Sequence, residues 1–311
     1  MKRAIAELLI SLFTGGRRKA ALWIAFALFA AAFLASGWMI FRWLAETMSS
    51  RTLFGELSYI KENVSDIQEN VSENADMADI KEGVSEDADI DVKKSVSEDA
   101  GDAEGVSDAP TFAVIDAREI LEEYRELAAR NPDLFGWVRI PDTPIDYPVM
   151  RTPDNPEYYI DHDFNKQPSV YGVPFAQPNC DADTSDNIII HAHHMKDGTM
   201  FARLLSYQSR EFWEKHPIIE FDAPHEKREY EVMAAFRVPA SGGFRYTAFV
   251  FAQGEADFDA YIEKCRSLSL YETGITAEYG DRLITLATCE YTLDDGRFVV
   301  VGRRKAERPV K

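Results

Sequence analysis

From Ala20 to Ile40 the chain reads AALWIAFALFAAAFLASGWMI, twenty-one residues without one charge. A bilayer's hydrocarbon core needs about 20 helical residues to cross it. So long an uncharged run is rare in the core helix of a soluble domain, and it exceeds the roughly 7–15 apolar residues of a cleaved signal peptide. It reads as a transmembrane helix over residues 20–41. Lys2, Arg3, Arg17, Arg18 and Lys19 precede it, whereas only Arg42 and Arg51 closely follow. That bias makes residues 1–19 a basic cytoplasmic tail and sends the remainder outside the cell membrane. Trp23, Trp38 and Trp43 lie near the two ends, where indole rings settle at the interface.

Beyond the span the composition turns acidic. Residues 59–109 hold sixteen Asp and Glu against four Lys, and a Val-Ser-acid triplet recurs at Val64, Val71, Val84, Val96 and Val106. The triplet spacing is too irregular for a solenoid or a sustained heptad. Residues 42–109 are therefore expected to be an acidic, low-complexity extracellular stalk, self-repelling and extended, that holds a folded domain off the membrane. Ile60, Val64, Ile67 and Val71 fall at helical spacing, which allows a short helix there. The net charge of −19 offers no basic footprint, so nucleic acid is not an expected partner.

Residues 110–311 are one domain's worth of chain. Asp116 and Glu119 have the spacing of a capping box, and Ile120, Leu121, Tyr124, Leu127 and Ala128 make one apolar helical face that ends at Asn131-Pro132. Short apolar or alternating runs follow at Trp137–Ile140, Ile145–Met150, Asn187–His191, Pro217–Phe221, Tyr230–Phe236, Leu283–Thr288 and Arg297–Val301. Their spacing predicts a mainly β barrel or sandwich. One helix interrupts them, since Phe258, Tyr261, Ile262 and Cys265 share a helical face.

Cys180, Cys265 and Cys289 are too few for a disulfide framework, and any single pairing leaves one thiol over. Cys289 ends the apolar run Thr285-Leu286-Ala287-Thr288, and Arg297 opens the next run eight positions later. A short loop between two such strands brings thiol and guanidinium together, and an arginine there can stabilise the oxyanion formed when a thiolate attacks a carbonyl. The buried-strand pattern Ile188-Ile189-Ile190 runs into His191-Ala192-His193-His194. A cysteine enzyme needs an imidazole to exchange protons with the thiol and the leaving amine. The same cluster has a metal-hydrolase reading, but zinc needs at least three well-placed ligands, and Asp197 and Gly198 stand where further ones are required.

Together, TLATC-EYTLDDG-RFVVVGR and HAHHMKDGTMFARL resemble the sortase family of Gram-positive cell-surface transpeptidases. NPDLFGWVRIPDTPIDYPVMRTPDNPEYYIDHDF, with the helix near 256–268, is similar to class B, so the resemblance spans residues 116–304. It implies a closed sortase-type β-barrel with an N-terminal amphipathic helix and an inserted helix before the cysteine strand. Carried over by position, Cys289 matches the nucleophile, His193 the acid/base and Arg297 the oxyanion or substrate-positioning arginine. The family usually reads Gly-His-Asn-Met where this chain has Ala192-His193-His194-Met195; Met195, Gly198, Thr199 and Met200 set the register on His193, with His194 as the alternative. The implied partners are surface proteins bearing a C-terminal sorting motif and an amine acceptor, either a peptidoglycan precursor or a pilin. No cofactor is implied. A cysteine hydrolase at the same site, or a metal-dependent hydrolase using residues 191–194, are the rival activities.

Overall fold

The computed structural model describes residues 26–63, 120–241, 243–293 and 295–306. The expected cytoplasmic tail and most of the expected stalk, residues 64–109, lie outside them.

Eight strands form where the sequence alternates or runs apolar: β1 (Leu134–Arg139), β2 (Asp146–Met150), β3 (Phe175–Ala176), β4 (Asn187–His191), β5 (Ile218–Ala223), β6 (Glu226–Pro239), β7 (Leu283–Glu290) and β8 (Gly296–Arg304). They close into a barrel in the order β1-β2-β3-β4-β7-β8-β6-β5. Only β2–β3 and β4–β7 are parallel. The β4–β7 pair needs a long crossover, which carries β5, β6 and two helices. The expected mainly β closed barrel is therefore what forms.

Helix α1 (Phe26–Asn63) is long and apolar enough to cross a membrane. Helix α2 (Glu122–Arg130) buries Tyr124 and Leu127 as its pattern requires. It starts later than the capping box suggested, with no side-chain cap, and the Asp116–Glu119 pair lies outside the described residues. Helix α3 (Arg210–Lys215) is capped by the Ser209 hydroxyl, which accepts from the Phe212 amide. Helix α4 (Glu255–Leu268) is the expected insertion, with Phe258, Tyr261, Ile262 and Cys265 all buried. The 3₁₀ stretch Phe201–Gln208 buries Phe201, Leu204 and Tyr207. A spacing of three belongs to a 3₁₀ turn rather than to an α-helix or strand, so neither periodicity revealed it.

The stalk expected from residue 42 meets a different structure over its first third. Helix α1 continues unbroken to Asn63, exposed along its apolar first half and packed against the barrel along its second. Phe33, Leu34, Trp38, Ile40 and Phe41 are exposed, whereas Leu53 and Leu57 are buried in a second core with Tyr124, Leu127, Trp137 and Tyr159. Near its end Lys61 Nζ lies 3.2 Å from Asp222, 4.9 Å above the Trp137 ring and 5.5 Å from that of Tyr124. Tyr124 also donates to Asp222 at 2.6 Å. Composition misled because the acidity of residues 59–109 was carried back over the residues before them, where Leu53 and Leu57 are one helical turn apart and so share a face.

Leu57 is wholly buried in the full chain. Truncating such a leucine to alanine typically costs about 2–5 kcal/mol. Leu57→Ala is expected to lower the denaturant midpoint of the full-length protein, while Leu44→Ala, on the exposed stretch, leaves it unchanged; tryptophan-fluorescence unfolding in detergent measures both.

Candidate active site

Strand β7 is the spine of the site. It pairs in parallel with β4, aligning His191 with Ala287, and antiparallel with β8, aligning Cys289 with Arg297. Residues directly opposite across an antiparallel pair have their Cβ atoms about 4.5–5.5 Å apart on one face. The short β7–β8 loop therefore delivers the arginine beside the thiol. Gly296 is needed for that closure, because a Cβ there would sit 2.5 Å from the Glu290 carbonyl oxygen.

Cys289, His193 and Arg297 line one cavity of about 400 Å³, together with His191, Tyr246 and Ile160. A larger crevice of about 760 Å³ lies between the end of α1 and β5–β6, lined by Lys61, Asp222, Arg228 and Glu229, but by no cysteine or histidine. Its charges neutralise one another at short range, as in the 3.0 Å contact of Arg139 with Glu220.

The three cysteines separate by environment. Cys180 and Cys265 are buried. Burial pushes the Cys180 thiol up to about 11 and that of Cys265 to about 12, which keeps both protonated and inert. Cys289 is half-buried at the cavity wall.

The three histidines diverge as well. His193 Nε2 lies 2.7 Å from the Ile160 carbonyl oxygen. A carbonyl only accepts, so Nε2 carries the proton and Nδ1 is the basic atom of the neutral ring. His194 instead donates from Nδ1 to the Cys289 carbonyl at 3.0 Å, and its ring lies beside Tyr291. His194 thus ties two loops together, away from the cavity. His191 lines the cavity beside Phe175 and Tyr246. Burial, with the Arg297 charge adding to it, depresses its pKa to about 4. Rings aimed at three different partners do not converge on an ion. Among the described residues, the one group close enough to hold a metal is Asp183, His225 and Glu226, and Arg228 already occupies it as their counter-ion.

Arg297 Nη1 donates to the Asp295 carboxylate and to the Gly296 carbonyl, both at 3.0 Å. Among the described residues, Nε and Nη2 make no hydrogen bond. Glu290, though next to the cysteine, holds the loop: its carboxylate accepts from the Thr292 hydroxyl and from the amides of Thr292 and Leu293. Thr285 is sealed away on Asn187 at 2.9 Å and does not shape the groove.

Sequence reasoning missed three contributions. Thr288 donates to the Ala192 carbonyl at 2.9 Å, fastening the histidine loop to β7. The Ile160 carbonyl orients His193. Tyr246, whose phenol burial pushes up to about 12 with the Arg297 and Cys289 charges opposing each other, is a neutral wall residue. A backbone oxygen carries no sequence signal, and Tyr246 sits in an aperiodic segment.

A family model described as a Sortase domain matches residues 138–305. Sortase B of Listeria monocytogenes is 34% identical over 188 residues, covering 60% of this chain and 75% of the relative. A Staphylococcus aureus sortase B–substrate complex superposes with a TM-score of 0.55 at 28% identity, covering 60% of this chain and 86% of that one. A mutant form of Clostridium perfringens sortase B gives a TM-score of 0.56 at 26% identity, covering 60% and 87%.

The depressed His191 pKa fixes a sign. The unfolded chain takes up a proton near pH 6.5, while the folded ring resists until about 4. This residue's contribution is therefore intact above pH 6.5 and lost as the pH falls through that window. Urea midpoints at pH 7 and pH 5 are expected to differ less in His191→Gln than in wild type.

Proposed function

Because the chain belongs to the sortase family, class B, and is a cysteine transpeptidase, we propose that Cys289 is its nucleophile, His193 its acid/base and Arg297 its oxyanion stabiliser. The observation that carries this assignment is the cross-strand pairing of Cys289 with Arg297 in a cavity that His193 also lines. Members of the family act on substrates with a sorting motif, and one relative's structure is that of a substrate complex. Here a surface protein's C-terminal motif lies in the cavity. Cys289 passes its thiol proton to Nδ1 of His193 and attacks the peptide carbonyl as the thiolate, and the oxygen's growing charge falls to Arg297. Collapse breaks the C–N bond, the departing amine takes a proton from His193, and a thioester remains on Cys289. An amine of a cell-wall precursor or of another surface protein gives its proton to His193 and displaces the thiolate.

Residues 20–41 serve as the membrane anchor, with residues 1–19 inside and the catalytic domain within residues 110–311 outside. The apolar helix and the basic residues before it support that placement. A hydrolase differs only in using water at the second step, so the acceptor decides between them.

The test is the full-length protein in detergent, a panel of fluorogenic sorting-motif peptides and a glycine-based amine acceptor, followed by mass spectrometry. Wild type is expected to form a peptide adduct on Cys289 and an amine-ligated product, and Cys289→Ala to form neither. His193→Ala and Arg297→Ala should each lower kcat by on the order of 10²–10³-fold. Unchanged turnover in Cys289→Ala would overturn the assignment, and free acid as the sole product despite the acceptor would make the enzyme a hydrolase.

A further inference from the structure

The loop that carries His193 is braced from outside the barrel. It leaves β4 at His191 and folds back so that the Phe201 amide donates to the His193 carbonyl at 2.9 Å, with His194 and Met200 forming a single β-bridge. The reversal forces Gly198 to φ +85° and Met200 to φ +54°. A non-glycine residue holds that conformation only when its surroundings over-determine it.

Those surroundings come from α1. At the loop's tip, Asp197 Oδ1 accepts from the Thr199 amide and hydroxyl at 3.1 and 2.6 Å. Its Oδ2 accepts from the Tyr171 hydroxyl at 3.2 Å and lies 3.5 Å from the Arg51 guanidinium. Burial works against that carboxylate's charge, but Thr199, Tyr171 and Arg51 together hold its pKa below the usual range. The Thr47 hydroxyl reaches the same Tyr171 hydroxyl at 2.6 Å. On the loop's returning limb the Met200 amide donates to the Tyr147 hydroxyl at 3.1 Å, and Phe54 packs edge-on against the Tyr147 ring at 5.1 Å. A third path runs through Gly172, where a Cβ would sit 2.6 Å from the Ile160 carbonyl oxygen that His193 engages. Tyr171, the residue before it, is the one that Thr47 touches.

We propose that Thr47 and Phe54 of α1 are positioning residues for the reaction: the helix that follows the membrane span sets the loop holding His193, through Tyr171–Asp197 on one side and Tyr147–Met200 on the other. This rests on the reading of His193 as the acid/base. The contacts are unequal. The Arg51 side chain is 62% exposed, so its ion pair is screened and contributes little, whereas Thr47 is 8% exposed and Tyr171 2%. The hydroxyl pair and the ring contact carry the brace.

The experiment uses the full chain in lipid nanodiscs with the peptide and acceptor of the transfer assay. Thr47→Val combined with Phe54→Ala is expected to lower kcat roughly tenfold, given that an ångström of misplacement can cost on the order of 10²-fold. KM should stay within about twofold, because the cavity walls are untouched, and the pH–rate limb that reports His193 should shift. Arg51→Ala alone should change kcat less than about twofold, in keeping with a screened pair. Thr47→Ser with Phe54→Tyr, which retains hydroxyl and ring, should restore wild-type kcat. Asp197→Asn, which breaks the receiving end while leaving Leu53 and Leu57 packed, should lower kcat in the same direction even if the double variant folds poorly. A double variant and an Asp197→Asn that both keep wild-type kcat and pH profile, with only the melting temperature reduced, would overturn the brace while transfer still required His193. Transfer that survives His193→Ala would remove the site reading beneath it.

Discussion

Every chemically important atom in this domain depends on the register of β7, which is fixed along both edges. Parallel pairing to β4 and antiparallel pairing to β8 leave the strand no freedom to slide. Since side chains alternate, a slip of one residue would turn Cys289 away from the cavity and set Thr288 or Glu290 opposite Arg297. The apolar run Leu283–Leu286, wholly buried, makes that slip prohibitive. The register is set by core packing some distance from the chemistry. The site takes its precision from residues that never touch substrate.

The histidine loop hangs on the same strand. Ala192 donates to the Ala287 carbonyl, Thr288 to the Ala192 carbonyl and His194 to the Cys289 carbonyl. Three neighbouring imidazoles therefore acquire three roles through their partners alone. His194 is a fastening, His191 a neutral wall, and His193 lines the cavity with Nε2 held by the Ile160 carbonyl. Identical side chains within four residues are told apart by which way the backbone aims them.

Much of this was legible from the sequence because the relevant signals are local. Cys289 at the end of an apolar run, Arg297 at the start of the next and the histidines after Ile188–Ile190 all announced themselves by strand patterning, and the 258–265 helix did so by its face. What escaped depends on long-range contact. The two-residue β3 is too short to show alternation, and the Ile160 carbonyl is invisible to any side-chain pattern. The Leu53–Leu57 face was hidden because two leucines one turn apart are too short a stripe to tell a packed helix from a solvated one, and the residues that bury them, Trp137 and Tyr124, come much later in the chain.

Helix α1 ends against Tyr124 and Trp137, and the described chain resumes at Ile120, immediately before α2. The described ends on either side, near Ile60 and Ile120, thus pack against the same second core at one corner of the barrel. In the proposed placement, α1 sets how far the barrel stands from the bilayer. Arg42 is the first charge after the apolar run, and at 1.5 Å per residue Arg51 lies only about 14 Å further along the axis. With α1 as the proposed anchor, so short a stretch of helix between span and barrel makes encounters with membrane-borne partners a search across a plane rather than through a volume.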